Sequence, residues 1–562
     1  MHRLWVLLLA ASFAVGLAAS WERWANPVID GGREMNQPLR VAEGETLYSD
    51  VGHIYGPFSP WLHAALYRAF GPSLSVLSAD GIVSAIAILT LVYFLARRIM
   101  GPPASAIATL LVMWLCAFKA SGNYIFPYAY SALHGTLFSL VTLTLCADAL
   151  ERPTVARFAA AGVIAGVTVL AKTEMGIAAL CAGVAAAALA DAPQRAVAFM
   201  AAAMLVAGTV YGVIAAHVGW HTLVFDCWLL VYNLPAPLKY FNASVSGLDH
   251  PGQSLLRVSI AFIKVVLLGA IVAAIAQFRA GPASGRTRAW ALLAGAVALA
   301  TLLGVTTGLD WDRGPFLAMP FVLVVVVVIA EQRREGLVVL YSLFALVLLA
   351  RIILHVRSGG AYGSFLLPVS IIVFTYGWVG PFAALFRAPA VARTASTIAL
   401  GLLFAASIAT SIAIAERYRR SDTAVISTAR GTLIVPPAVA DGWNEALRFI
   451  EARTRPDDPL VVLPEGTSLT FLSGRRNPLR EEIVTPGFLD AAAEERAIRQ
   501  IGSAGTPLIL IVDRPTREFG AETFGRDYDR RLMSWIMARY EPCGTFGTAL
   551  VIRAWCQVPI RT

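Results

Sequence analysis

Residues Asn26–Pro72 read NPVIDGGREMNQPLRVAEGETLYSDVGHIYGPFSPWLHAALYRAFGP, and the fold turns on what lies on either side of them. Before them runs the apolar segment Leu4–Ser20 and after them the apolar segment Ser75–Ala96. The stretch holds Asp30, Arg33, Glu34, Arg40, Glu43, Glu45, Asp50 and His53, broken by Gly and Pro turns. If its neighbours cross a bilayer, this loop emerges at one face with acids and bases fixed at the lipid boundary.

The rest of the chain supports that condition. Hydrophobic residues are 57% and charged residues 14% of the 562, well short of the quarter charged that soluble domains carry. Mean hydropathy is +0.66. A bilayer core about 30 Å thick needs roughly 20 apolar residues per helix. On that ruler the spans fall near 4–20, 75–96, 103–118, 130–149, 155–171, 174–190, 196–216, 255–277, 289–307, 317–330, 337–354, 364–386 and 394–415. The expected fold is a polytopic α-helical membrane protein of about 13 spans, residues 1–415, with its first outside loop at 21–74.

The net charge of +9 is spread over short interhelical turns and forms no stripe, which argues against nucleic acid as a partner. With the N-terminus inside, the inside turns carry Arg3, Arg97/Arg98, Arg152/Arg157, Arg195, Arg279/Arg286/Arg288, Arg333/Arg334 and Arg387/Arg393. That parity obeys the positive-inside rule from end to end. It places the 21–74 loop and everything after Ile414 outside. The first segment reads as an anchor or as a cleavable signal peptide, with the same topology downstream. Four lysines (Lys119, Lys172, Lys239, Lys264) beside many arginines, with abundant Ala and Gly, suit a bacterial chain, hence the cytoplasmic membrane.

From 416 to 562 charge rises and apolar runs shorten to strand length. Leu460–Leu463, Leu508–Val512 and Ala549–Trp555 read as strands, and Trp443–Arg453, Leu489–Ile501 and Arg530–Tyr540 as helices, giving a small outside α/β domain. Outside the cytosol Cys543 and Cys556 can pair or remain free thiols.

The candidate chemistry gathers on the outside. Asp30, in Ile29-Asp30-Gly31-Gly32-Arg33-Glu34, is placed to act as a general base, or else caps a helix starting near Arg33. Asp50 is a second carboxylate or a turn residue; His53, Glu34 and Tyr55 line the same loop. The Gly56-Pro57 turn leads into an aromatic stretch and a short helix on the membrane face. Lys172 can hold a phosphate as a point charge, or pair internally with Glu174. Asp310, Asp312 and Arg313, in a compact turn, read as ligand contacts or loop structure before metal ligands. Arg357 and Tyr362 share that face, as do His134, Tyr128 and Tyr130. Lys264, mid-span, must face the bundle interior or a wet cavity. No cofactor is expected; a divalent metal stays open, with no Cys/His metal spacing to assign it.

In the first loop the chain resembles the GT-C superfamily of membrane glycosyltransferases, in particular the branch of protein O-mannosyltransferases and the aminoarabinose transferase of lipid A modification (glycosyltransferase family 39-like). The residues carrying the likeness are Asp30 and Arg33, then Ala42, Gly44, Leu47, Tyr48 and Asp50, then Tyr55-Gly56-Pro57. The resemblance implies a polyprenyl-phosphate-linked sugar donor and inverting transfer to a glycan, lipid or protein acceptor outside the membrane. It implies Asp30 as base, and Arg33 with a second cation on the departing phosphate. Relatives often have Lys before the loop's Pro; here Gly56 stands there, so Lys172 and Arg313 are the candidates for that second cation. The loop Lys119–Tyr130 also lacks an acid that some relatives have. A transporter or flippase of lipid-linked glycans is the rival reading, though charge gathered at one face, without paired halves, favours the enzyme.

Overall fold

The computed structural model describes residues 2–120, 122–227, 234–281, 290, 293–299, 301–302, 310–358 and 360–558. The fold is polytopic and helical, ending in a small α/β unit. In chain order the helices begin α1 (His2–Ser20), α2 (Gly31–Ala42), α3 (Phe58–Phe70), α4 (Leu74–Ile99), α5 (Pro102–Val112), α6 (Tyr130–Glu151), α7 (Val155–Ala171), α8 (Thr173–Leu189), α9 (Gln194–Val218), α10 (Trp220–Cys227), α11 (Ala236–Ser246) and α12 (Pro251–Ala280).

Seven described helices are long and apolar enough to cross a membrane, and five shorter apolar ones lie between them. Together they match the expected spans, except that about half of 289–307 lies outside the described residues, as do Arg286 and Arg288. The expected span 364–386 divides at Leu367, where Gly360–Leu366 gives way to Pro368–Val379; proline at a helix start costs no internal hydrogen bond. Small residues let the helices approach closely, the usual device where lipid removes a hydrophobic drive. A Cβ on Gly162 of α7 would stand 2.1 Å from the Phe199 carbonyl oxygen of α9, and one on Gly183 of α8 would enter the Phe199 ring.

The last long helix, Pro389–Ser421, leads into a hairpin of β1 (Ala424–Thr428) and β2 (Gly431–Val435). A four-stranded sheet follows, in the order β3 (Leu460–Leu463), β4 (Leu508–Val512), β6 (Ile552–Gln557), β5 (Tyr540–Phe546). β3 and β4 run parallel and every residue in them is buried, which is why their sequences are unbroken apolar runs rather than alternating ones. The hairpin and β5 were not legible in the sequence; the strands at 460–463 and 508–512 were. Cys543 and Cys556 form a disulfide between β5 and β6.

α2 decides where the site lies. Its sequence is polar, GGREMNQPLRVA, yet Gly31 through Arg40 are all buried. The bundle covers one side through α3, and the tail covers the other. Asn36 Nδ2 donates to the Thr467 carbonyl (2.8 Å), Ser468 Oγ to the Pro27 carbonyl (2.6 Å) and Arg40 Nη1 to Glu482 Oε1 (2.9 Å). Gly52 N donates to the Arg480 carbonyl, and Arg480 returns a bond to the Tyr48 carbonyl. α2 is therefore a filling between two layers, while the loop after it meets solvent at Glu43, Gly44, Thr46, Ser49 and Asp50. Gly32 is required there: a Cβ would meet Ser468 N at 2.2 Å.

Candidate functional site

At the start of α2 the chain turns sharply. Asn26 Oδ1 accepts from Val28 N and Ile29 N, and Asp30 adopts φ 56°, a left-handed conformation uncommon outside glycine. Asp30 occupies the helix N-cap but its carboxylate makes no capping bond. Instead it faces Arg33, whose Nη2 lies 3.2 Å from Asp30 Oδ1. Arg33 Nε donates to Glu34 Oε1 (3.1 Å) and Nη2 to the Tyr128 carbonyl (3.0 Å). Burial alone would lower the Arg33 pKa, but Asp30 and Glu34 outweigh it and hold it above the ordinary value. Arg33 is a fixed positive charge.

A second cation comes from the bundle. Lys172, in the turn joining α7 to α8, is fully buried, with Nζ 2.9 Å from Tyr128 Oη and 3.4 Å from Glu174. Its Nζ sits 4.2 Å above the Tyr55 ring, and the Arg33 guanidinium carbon lies 5.5 Å from the same ring. Such contacts help desolvated cations. Tyr128 packs edge-on against Tyr362, whose ring also lies 4.8 Å from the Arg351 guanidinium. Gly56 is packed so tightly that a Cβ would lie 2.0 Å from the Leu170 carbonyl oxygen, two residues before Lys172. Gly56 therefore lets the turn that carries Lys172 come up against the loop.

Asp30, Arg33, Glu34, Tyr55, Lys172, Glu174 and Tyr362 are thus drawn together. His53 supports them from behind: its ring faces Gln37 Oε1 (2.9 Å) and the Gly56 carbonyl (3.2 Å). Burial, with Arg33 and Lys172 near, pushes it down to about 3, so it stays neutral. Asp50 is occupied elsewhere. Its exposed carboxylate closes a turn by accepting from Thr46 N at 2.8 Å.

Asp310, Asp312, Arg313 and Arg357 do not join this nest. They line a separate cavity of about 670 Å³ with Arg257 and Lys264 of α12. Lys264 Nζ reaches the Arg313 carbonyl at 3.3 Å, which accounts for a lysine within an apolar helix.

One acid near the nest escaped the sequence reading. Glu465, in the turn after β3, is buried, and burial pushes it up to about 8, with Arg514 opposing and Asp30 adding to the rise. Arg514 Nε stands 2.7 Å from Glu465 Oε2, but that oxygen has no aligned hydrogen bond. Its only sequence signal was an acid ending an apolar strand.

No family model and no curated relative matches the chain. Among solved structures it is similar to the oligosaccharyltransferase AglB of Archaeoglobus fulgidus, in complex with an inhibitory peptide and a dolichol-phosphate. That match has 12% identity and a TM-score of 0.50, over 99% of this chain and 74% of that one. ArnT from Cupriavidus metallidurans bound to undecaprenyl phosphate aligns at 13% identity over 98% of both chains, with a TM-score of 0.45. At 12% identity the AglB match shows a shared fold.

Proposed function

We propose that the chain is an inverting glycosyltransferase. It moves a sugar from a polyprenyl-phosphate-linked donor to a glycan, lipid or protein hydroxyl at the outer face of the bacterial cytoplasmic membrane. The observation that carries this reading is the buried nest in which one carboxylate, Asp30, shares a guanidinium with Glu34 while a second cation, Lys172, stands over the same Tyr55 ring.

In this reading Arg33 and Lys172 hold the donor phosphate. A phosphate competing for Arg33 frees Asp30 from its ion pair, so the base becomes available only when donor is present. Asp30 then takes the acceptor hydroxyl proton as the new glycosidic bond forms. The bond from the sugar carbon to the phosphate oxygen breaks, and polyprenyl phosphate leaves with that bond's electron pair. Charge grows on the phosphate as it departs, so fixed buried cations bind the transition state more tightly than the ground state. Arg313 and Arg357, with Lys264, offer the lipid phosphate a second cationic stop in the neighbouring cavity. Tyr362 and Glu174 shape the wall around the Lys172 ammonium.

The test is transfer from a labelled polyprenyl-phosphate sugar, comparing wild type with Asp30→Asn. Loss of a general base should cost about 10²–10⁴-fold in turnover, with donor binding retained. Unchanged turnover would remove Asp30 from the role.

A further inference from the structure

His63, Asp80 and His134 lie on three different helices and belong to no shared sequence motif, yet they converge on one atom. His63 Nε2 is 2.8 Å from Asp80 Oδ2, and His134 Nε2 is 3.0 Å from the same oxygen. All three donor atoms lie within 4.8 Å of one another. Both imidazoles are 1% exposed. We infer that this cluster is a divalent metal site, of a kind suited to zinc, tying α3, α4 and α6 together directly beneath the Arg33 nest.

Four features of the cluster support a metal. The donor set is two imidazole nitrogens and a carboxylate oxygen, which suits zinc and disfavours magnesium or calcium. With bonds of about 2.0–2.2 Å, tetrahedral donors stand roughly 3.3–3.6 Å apart, so each nitrogen draws back from Asp80 by less than about 1 Å. His134 Nδ1 lies 2.8 Å from Ser59 Oγ, the outer contact that fixes the ring of a metal-bound histidine. The fourth feature is charge. Among the described residues the groups bonded to the Asp80 carboxylate are these two imidazoles, with no arginine or lysine. A mostly buried carboxylate with no arginine or lysine beside it is costly unless positive charge is supplied at the cluster. A divalent cation removes that cost.

The site's position gives the ion a structural part. The His63 ring stands edge-on to Tyr130 at 4.3 Å, and the Tyr130 backbone N–H donates to Glu34 Oε2 at 2.9 Å. Glu34 is in turn the partner of Arg33. Tying α3 to the start of α6 therefore holds the floor on which the Glu34–Arg33 pair rests. This inference does not depend on the transferase reading, and its test does not use activity.

The experiment uses the full chain in detergent or nanodiscs. Metal content is measured by inductively coupled plasma mass spectrometry as purified, after prolonged chelation, and after reloading with Zn²⁺ or Co²⁺. The expected result is about one zinc per chain, a lower Tm after chelation, recovery on reloading, and an intense visible Co²⁺ band typical of tetrahedral nitrogen and oxygen ligands. Asp80→Asn and the double variant His63→Gln/His134→Gln should lose both zinc and the Co²⁺ band. Should these variants fail to fold, X-ray absorption on the wild type must show two imidazole ligands. Folded wild-type protein that takes up no stoichiometric metal and gives no Co²⁺ band would overturn the inference. So would zinc retained undiminished in the double variant, or an absorption spectrum without imidazole ligands.

Discussion

Two regions hold nearly the same residues and end in opposite states. Around α2 an Arg and a Glu are folded into the interior beside a half-buried Asp, and the Arg33 side chain is 7% exposed. At Asp310–Arg313 two aspartates and an arginine form a turn of similar composition, but the Arg313 side chain is 71% exposed. The difference lies in what covers each. α2 is capped by residues from the far end of the chain, whereas the 310–313 turn has water on one side. Coulomb interactions that are worth little in water are several-fold stronger in a covered site. Residue type proposes a charge cluster, and burial decides what it can do.

This contrast can be broken most directly at Lys172. Lys172→Met keeps the packing but leaves Glu174 unpaired and removes a buried cation. Labelled-donor transfer should fall by about 10²–10³-fold, the scale of losing one preorganised electrostatic contact. A fall of only a few-fold would place the donor phosphate elsewhere, with the 670 Å³ cavity next in line.

The cover itself is tested at Arg40 and Glu482, where the carboxylate is 0% exposed and 2.9 Å from the guanidinium. Removing one partner of such a pair strands the other, at a cost of about 3–5 kcal/mol. Glu482→Ala should lower the Tm by many degrees in a thermal melt, and Glu482→Gln by less.

The next effect is pH-dependent. Glu465 and Asp529 are each raised by burial to about 8 in the folded chain. A carboxyl raised on folding binds more protons folded than unfolded across the interval between its two pKa values. Its stabilising contribution is complete below the unfolded value and is lost as pH rises through the folded one. Melting temperature should therefore decline between pH 5 and 9, and Glu465→Gln should flatten part of that decline. A slope unchanged by the substitution would show that other groups set it.

The smallest effect belongs to the exposed turn. Arg313→Ala should change donor affinity by no more than about five-fold, since exposed pairs contribute at most about 1 kcal/mol, and salt should erase the difference.

Much of the fold was legible because it is written locally. Apolar runs of spanning length set the bundle, and the buried strands at 460–463 and 508–512 announced themselves as unbroken apolar runs bounded by Pro and charge. The Asp30–Arg33 pair was legible too, being three residues apart in a motif. What stayed hidden has a common physical form. Glu465, Glu482 and the His63–Asp80–His134 cluster take their meaning from partners on other elements, 431 or more residues away for the bonds between α2 and the tail. Periodicity and spacing do not carry that information. The placement of Asp50 shows the converse: a carboxylate in the right motif, spent on closing its own turn.

The wrapping of α2 also has a consequence for biogenesis. A ribosome makes Asn36 of this polar helix 431 residues ahead of Thr467, one of its covering partners. Throughout that interval Arg40 and Asn36 lack their final partners, and α2 has no second layer to bury it.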